Sequence, residues 1–273
     1  MSDVPEHVKW LTDTKERLTT ADGKTVEVWE FCHQPDDKVL SAWAKYYRYH
    51  YCSDEDLEDN CHPKSRADYL RDDIFPDEKD GFGPSTRAGD FGEILVSDFF
   101  EYLLGYWIPR VRYKDRLKRN MSTQGSDMMG FLFADKTESP KDTLIVTEVK
   151  AQLTGKTFDP KLQEAVDHSI KDQIRKGESF NWIKRRTLKE ACPEEKDTFK
   201  LRFERFQSPV DRPYKELSGA VAVISNNIYD SAIATTTNTT PHPNKDNLVL
   251  IIVRGETMMD LAGELYRRAA DEA

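Results

Sequence analysis

Apolar residues recur at helical spacing most strongly over residues 87–104. There Phe91, Ile94, Leu95, Phe99, Tyr102 and Leu103 share one face of a helical wheel, and Val96, Phe100 and Leu104 extend it round the other side. A helix with that pattern is buried on most of its surface. Glu93 falls in line with Val96, Phe100 and Leu104, which places a carboxylate in or beside an apolar stripe, where it needs a cation, a metal or hydrogen bonds. Asp98 raises the same question on the opposite face. Beyond this helix the period shortens to two. Residues 106–113 (YWIPRVRY) read as a strand in which Pro109 favours an edge or a bulge, 126–133 as a second strand introduced by Gly125, and 144–152 as a third. In that third strand alternation puts Glu148, Lys150 and Gln152 on one face and Ile145, Thr147, Val149 and Ala151 on the other. Packing alone does not ask for such a charged row.

The flanking pattern is that of an α/β protein. Residues 25–32 alternate as a strand after an Ala-Asp-Gly turn, and a helix capped by Asp36 or Asp37 follows, with Leu40, Trp43, Ala44 and Tyr47 on its inner face. The cluster Tyr46, Tyr47, Tyr49 and Tyr51 reads as packing in preference to a base-stacking surface. Residues 53–59 form an acidic run, either a solvated face or a surface that meets a basic partner, and 65–74 read as a short helix. Residues 76–86, with two prolines and two glycines, read as a linker. Further on, 159–176 read as a helix with Leu162, Ala165, Val166 and Ile170 inward and His168, Lys171 and Arg175 outward, His168 being taken as a surface residue. The apolar runs 219–225 and 248–253 suit strands covered on both faces, a Thr-rich loop joins them, and 256–270 read as a closing helix.

Composition narrows the class. The 273 residues are 38% hydrophobic and 33% charged, enough for a folded core with a well-solvated surface. No run suits a membrane span and no signal peptide is evident, so a cytoplasmic protein is expected. Cys32, Cys52, Cys61 and Cys192 form no C-x-x-C pair and read as free thiols, the spacing of Cys52 and Cys61 with His50 and His62 being wrong for zinc. A net charge of −9 is unpromising for a protein that handles nucleic acid. Its distribution changes that picture, because residues 1–86 hold 11 Lys+Arg and 20 Asp+Glu whereas 87–273 hold 29 of each. The expected organisation is an acidic N-terminal α/β extension over 1–86, suited to docking or regulation, and a catalytic domain over 87–273. Basic residues over 110–119 and 171–205 could form two walls of a DNA groove or simply solvated faces.

Magnesium is a hard ion held by one or two carboxylates together with waters and phosphate oxygens. Asp127 and Glu148 on adjacent strands could be those carboxylates, and Lys150 could orient or help deprotonate a water and offset charge on a phosphate while Gln152 extends the polar row. The spacing GSD, then EVK 21 residues after Asp127, behind a helix with an in-line glutamate, is far more specific than a lone E-x-K. A non-catalytic adaptor that binds DNA or a partner through the same charges is the alternative.

This order of elements, with Glu93, Asp127 and Glu148-x-Lys150, resembles the PD-(D/E)XK nuclease superfamily, although Ser126 stands where that pattern has proline. More closely, RAGDFGEILVSDFFEYLLGYWIPRVRY, STQGSDMMGF and EVKAQLTG resemble the HamA family, nuclease subunits of the bacterial Hachiman anti-phage defence system. The resemblance implies a restriction-endonuclease-like core with a mixed central sheet flanked by helices, and a catalytic set of Asp127, Glu148 and Lys150 with Glu93 assisting the metal. It further implies Mg2+ as cofactor, with Mn2+ a substitute, DNA as substrate, and a helicase partner, HamB, that restrains the nuclease.

Overall fold

The computed structural model describes residues 4–114, 116–123, 125–135 and 138–273; Asp115, the one acid of the basic run, and Gln124 lie outside them. Six strands form one mixed sheet in the order β1-β2-β6-β5-β4-β3, with β1 Leu11–Thr19, β2 Thr25–Phe31, β3 Met128–Leu132, β4 Thr143–Gln152, β5 Lys215–Ser225 and β6 Leu248–Gly255. The inner four run parallel and the two edge strands antiparallel to them. The strands over 25–32, 144–152, 219–225 and 248–253 thus form where alternation or unbroken apolar runs place them.

Helices cover both faces. The helices α1 (Asp37–Tyr49), α4 (Gly83–Asp98, widening into a π-turn at Phe99–Leu103) and α8 (Met258–Asp271) share a core with Ile145, Val149, Val221, Val223, Ile251 and Val253. The opposite face packs against α5 (Lys161–Glu190) and α6 (Pro193–Arg205), with Leu144 and Val146 beside Phe180, Ile183 and Phe203. Between these lie α2 (Asp54–Asn60), α3 (Arg66–Tyr69, followed by a π-turn at Leu70–Ile74) and α7 (Ser231–Ala234).

Several boundaries differ from the sequence reading. Strand β1 has no apolar alternation to announce it: it is a charged edge strand, and a bulge between Asp13 and Arg17 carries Lys15 at φ 65°. The acidic run folds as α2, because Ser53 and Asp56 close a reciprocal capping box. The stretch 76–86 is not simply a linker, since α4 starts at Gly83 with Pro84 in its first turn, where a missing N–H costs nothing. A Cβ at Gly83 would lie 2.3 Å from the Asp77 carbonyl oxygen, so only glycine fits there. The π-turn shifts the register of the helical wheel at its end, leaving Leu103 and Leu104 exposed. Residues 106–113 form no strand among the described residues; a single bridge, Trp107 with Phe131, is made before Pro109 withdraws its donor. Helix α5 runs on to Glu190, well past 176, because Phe180 and Ile183 continue its buried face.

The N-terminal residues are woven into this sheet. Strand β2 pairs in parallel with β6, Val26 opposite Leu250, and α1 packs along α8. The compositional boundary at residue 86 lies within α4, and residues on both sides of it contribute to one sheet and one core. Tyr47 and Tyr51 of the tyrosine cluster are buried in that core, in line with packing.

Candidate active site

The site is built where β3 and β4 lie side by side. Met128 pairs with Thr147, which brings Asp127, the residue just before β3, beside the Glu148–Val149 segment of β4. Asp127 Oδ2 accepts the Val149 backbone N–H at 2.9 Å. Because Glu148 and Lys150 continue the Leu144–Val146 row, their side chains point to the α5 face, where Lys150 Nζ donates to Glu148 Oε1.

Helix α5 closes the site. His168 Nδ1 lies 3.5 Å from Glu148 Oε1, and an Arg175 terminal nitrogen lies 3.5 Å from Glu148 Oε2. Arg175 Nε also donates to Asp172 Oδ1 at 2.9 Å, and Asp172 is 1% exposed. His168, read as a surface residue, is therefore half-exposed at the edge of the site. Asp172 and Arg175 were not among the sequence candidates, although their spacing of three on a helix with His168 one turn earlier is the signal that could have found them.

Glu93 reaches Asp127 through an intermediary. From the segment after Pro109, Arg112 Nε donates to Glu93 Oε2 at 2.7 Å while its NH2 donates to Asp127 Oδ1 at 2.7 Å, and Tyr113 OH donates to the same Glu93 oxygen at 2.6 Å. Gln152 is placed elsewhere. Its amide donates to the Thr157 carbonyl and its oxygen accepts the Asp159 N–H, so it braces the loop that leads into α5. The structure thus brings Glu148 and Lys150 together beside Asp127, links Glu93 to Asp127 through Arg112, and sets Gln152 to a supporting contact. Asp98 lies away from this centre, fully buried, with His7 at 3.0 Å, Arg110 at 2.9 Å and Tyr46 at 3.3 Å.

The electrostatics follow from burial. Burial pushes Glu148 up to about 7, Asp127 adds to the rise and Lys150 opposes it. Glu93 is pushed up to about 8 by burial, which outweighs Arg112, with Asp127 contributing again. Burial also raises Asp172, against Arg175 and the neighbouring Ser126 hydroxyl. Burial and the Lys150 and Lys171 charges lower His168. For Asp98 burial works upward, but Arg110 and His7 prevail and hold the carboxyl below its usual range.

The donor chemistry suits a hard divalent ion. Glu148 Oε2, with only the Arg175 ion pair at 3.5 Å, and Asp172 Oδ2 are buried without a hydrogen-bond partner among the described residues, so each has a lone pair free for a further ligand. In this arrangement, though, no three acidic, histidine or cysteine groups converge on one point among the described residues, including Cys52, Cys61 and the histidines beside them. Cations of the protein hold the carboxylates instead. A cavity of about 740 Å³ opens beside Asp127, lined among others by His50, Ile94, Arg112, Arg175 and Trp182.

The basic run that supplies Arg112 is largely spent on such pairs. Arg110 bonds Glu101 and Asp98, Lys114 bonds Glu190, Arg116 forks onto Asp90 and Arg119 bonds Asp77, which leaves Lys118 as its one cation without a partner among the described residues. A run that reads as a phosphate-binding surface therefore works chiefly as an internal clamp. No helix among the described residues is long and apolar enough to cross a membrane.

A comparison with curated proteins gives no match. The HamA family model matches residues 6–269, almost the whole chain and well beyond the segments that first suggested it. The chain belongs to the HamA family.

Proposed function

We propose that the protein is a Mg2+-dependent DNA endonuclease, the effector of a Hachiman-type anti-phage defence system, restrained by a helicase partner. Membership of the HamA family supports the defence context. The observation that carries the chemistry is the buried Glu148 carboxylate, whose Oε2 accepts no hydrogen bond among the described residues, beside Asp127 and one pleat from Lys150. Asp127 and Glu148 would hold the metal, with Glu93 assisting from the far side of Arg112. Bound there, the metal would polarise a phosphate oxygen and acidify a water. Lys150 would orient the attacking water and offset charge on the phosphate, while His168 and Arg175, each 3.5 Å from a Glu148 oxygen, flank that carboxylate. Gln152 holds the loop between β4 and α5 at the rim of the site. The acidic N-terminal surface, including α2, suits a basic partner face.

Plasmid DNA incubated with the purified protein should be cut in Mg2+ or Mn2+ and left intact with a chelator. Glu148→Ala and Lys150→Ala should each lower cleavage by a factor of a hundred or more, on the order of a lost transition-state contact, without loss of fold. Undiminished cleavage by both variants would refute the assignment. The second reading, a non-catalytic adaptor, draws on the salt-bridged state of the carboxylates, and DNA bound but never cut with any divalent ion or partner would establish it.

A further inference from the structure

Arg112 is a cation that the metal chemistry just described has no use for, and it sits where that chemistry needs room. Its guanidinium is 14% exposed and makes four contacts, to Glu93 Oε2, Asp127 Oδ1 and the carbonyl oxygens of Ser126 and Thr123. We propose that Arg112 is a displaceable, tethered counter-ion of Asp127 and Glu93: its guanidinium and a divalent cation exclude one another there, and Arg112 leaves Asp127 Oδ1 when metal is held.

This inference rests on the nuclease reading above, and three observations carry it. First, both oxygens of Asp127 are taken, Oδ2 by the backbone of β4 and Oδ1 by Arg112. The strand partner is locked in a ladder, so only the arginine can yield. Second, the guanidinium already offsets the charge of Asp127, and a divalent ion held at the same oxygen would be set against a like charge at close range. That arrangement is the costlier one wherever water is excluded. Third, the guanidinium has somewhere to go, because the cavity beside Asp127 is lined by Arg112 itself. A side-chain swing into it needs no rebuilding of the sheet.

The test measures metal binding, not cleavage. Mn2+ affinity is measured by calorimetry and by electron paramagnetic resonance on the full chain, the Arg112→Gln variant and an Arg212→Gln control that loses only an exposed pair with Glu138. R112Q should bind Mn2+ about tenfold more tightly than the unaltered protein, the size of change that one partner of a ligand makes in metal affinity. The control should bind as the unaltered protein does. Equal or weaker binding by a folded R112Q overturns the proposal. Should R112Q fail to fold, the side-chain Nε–H resonance of Arg112 in the unaltered protein decides: saturating Mg2+ should move it from its carboxylate-bonded position, and an unmoved resonance overturns the idea. If no form binds Mn2+, the metal-site reading falls and this inference with it; metal binding indifferent to Arg112 removes this inference alone.

Discussion

Replacing Arg116 by methionine separates the two readings of the basic run. Arg116 donates to both oxygens of Asp90, at 2.7 and 2.6 Å, with the two side chains 5% and 4% exposed. Tyr51 donates to the same carboxylate at 2.6 Å and Tyr266 stands behind it, so the pair ties the 106–123 segment to α4, to the turn after α1 and to α8 at once. Methionine fills much of the volume but strands Asp90 as a buried charge, a loss of roughly 3–5 kcal/mol for such pairs. In a chain of this size each kcal/mol moves the melting temperature by about 2–4 °C, so the variant should melt roughly 6–20 °C lower. Asp90→Asn, which keeps the tyrosine contacts but removes the charge, should restore part of that stability in the double variant. Scanning calorimetry reads both effects. Under conditions where the variant stays folded, the salt dependence of DNA binding should be unchanged, since Arg116 meets no phosphate. A melting temperature within about 1 °C of the unaltered protein, together with a salt slope reduced by about one, would show Arg116 to be a backbone contact and refute the clamp.

Two further outcomes follow from burial. Glu148 and Glu93 keep their protons to about 7 and about 8 in the folded, metal-free protein, whereas the ordinary glutamate value is 4.5. A raised folded value gives stability that is present below the unfolded value and lost as pH climbs through the folded one, so the melting temperature should fall between about pH 5 and pH 8. Glu148→Gln should flatten the lower part of that slope; an identical profile in E148Q and E93Q would contradict it. At Gly219 an added Cβ would lie 2.4 Å from the hydroxyl of fully buried Thr147 on the neighbouring strand. Gly219→Ala should therefore cost about 1–3 kcal/mol in urea denaturation, and adding Thr147→Ala should recover most of it; a G219A midpoint indistinguishable from the parent would show that the strands can part there.

What was legible in the sequence was whatever a single period carries. The 25–31 strand, α1 with its Asp36 cap, the long apolar helix and the Glu148–Lys150 row could all be read from residue spacing. Strand β1 could not, since every residue of this edge strand after Leu11 is at least partly exposed and no apolar row marks it. Nor could the work of Arg112 and Arg116, because a run of arginines looks the same whether it faces phosphate or buried carboxylates 15 to 26 residues away. For His168, Asp172 and Arg175 the spacing marks one helix face but does not say what that face meets. Their approach to Glu148 depends on how α5 crosses the sheet, which no local pattern specifies. Gln152 followed the period correctly onto the charged row, but the loop that claims its amide comes from the chain's next turn.

The pairing of β2 with β6 has a consequence for how the chain comes to be folded. Val26 waits for Leu250 and Phe31 for Gly255, so the sheet cannot be completed until the chain has been synthesised through residue 255. Contacts of such sequence separation fold slowly, and an early strand without its neighbour is exposed to pairing with other chains in the interval. Glu27 and Glu30 interrupt the apolar residues of β2 and, on the nascent chain, act as gatekeepers against that association.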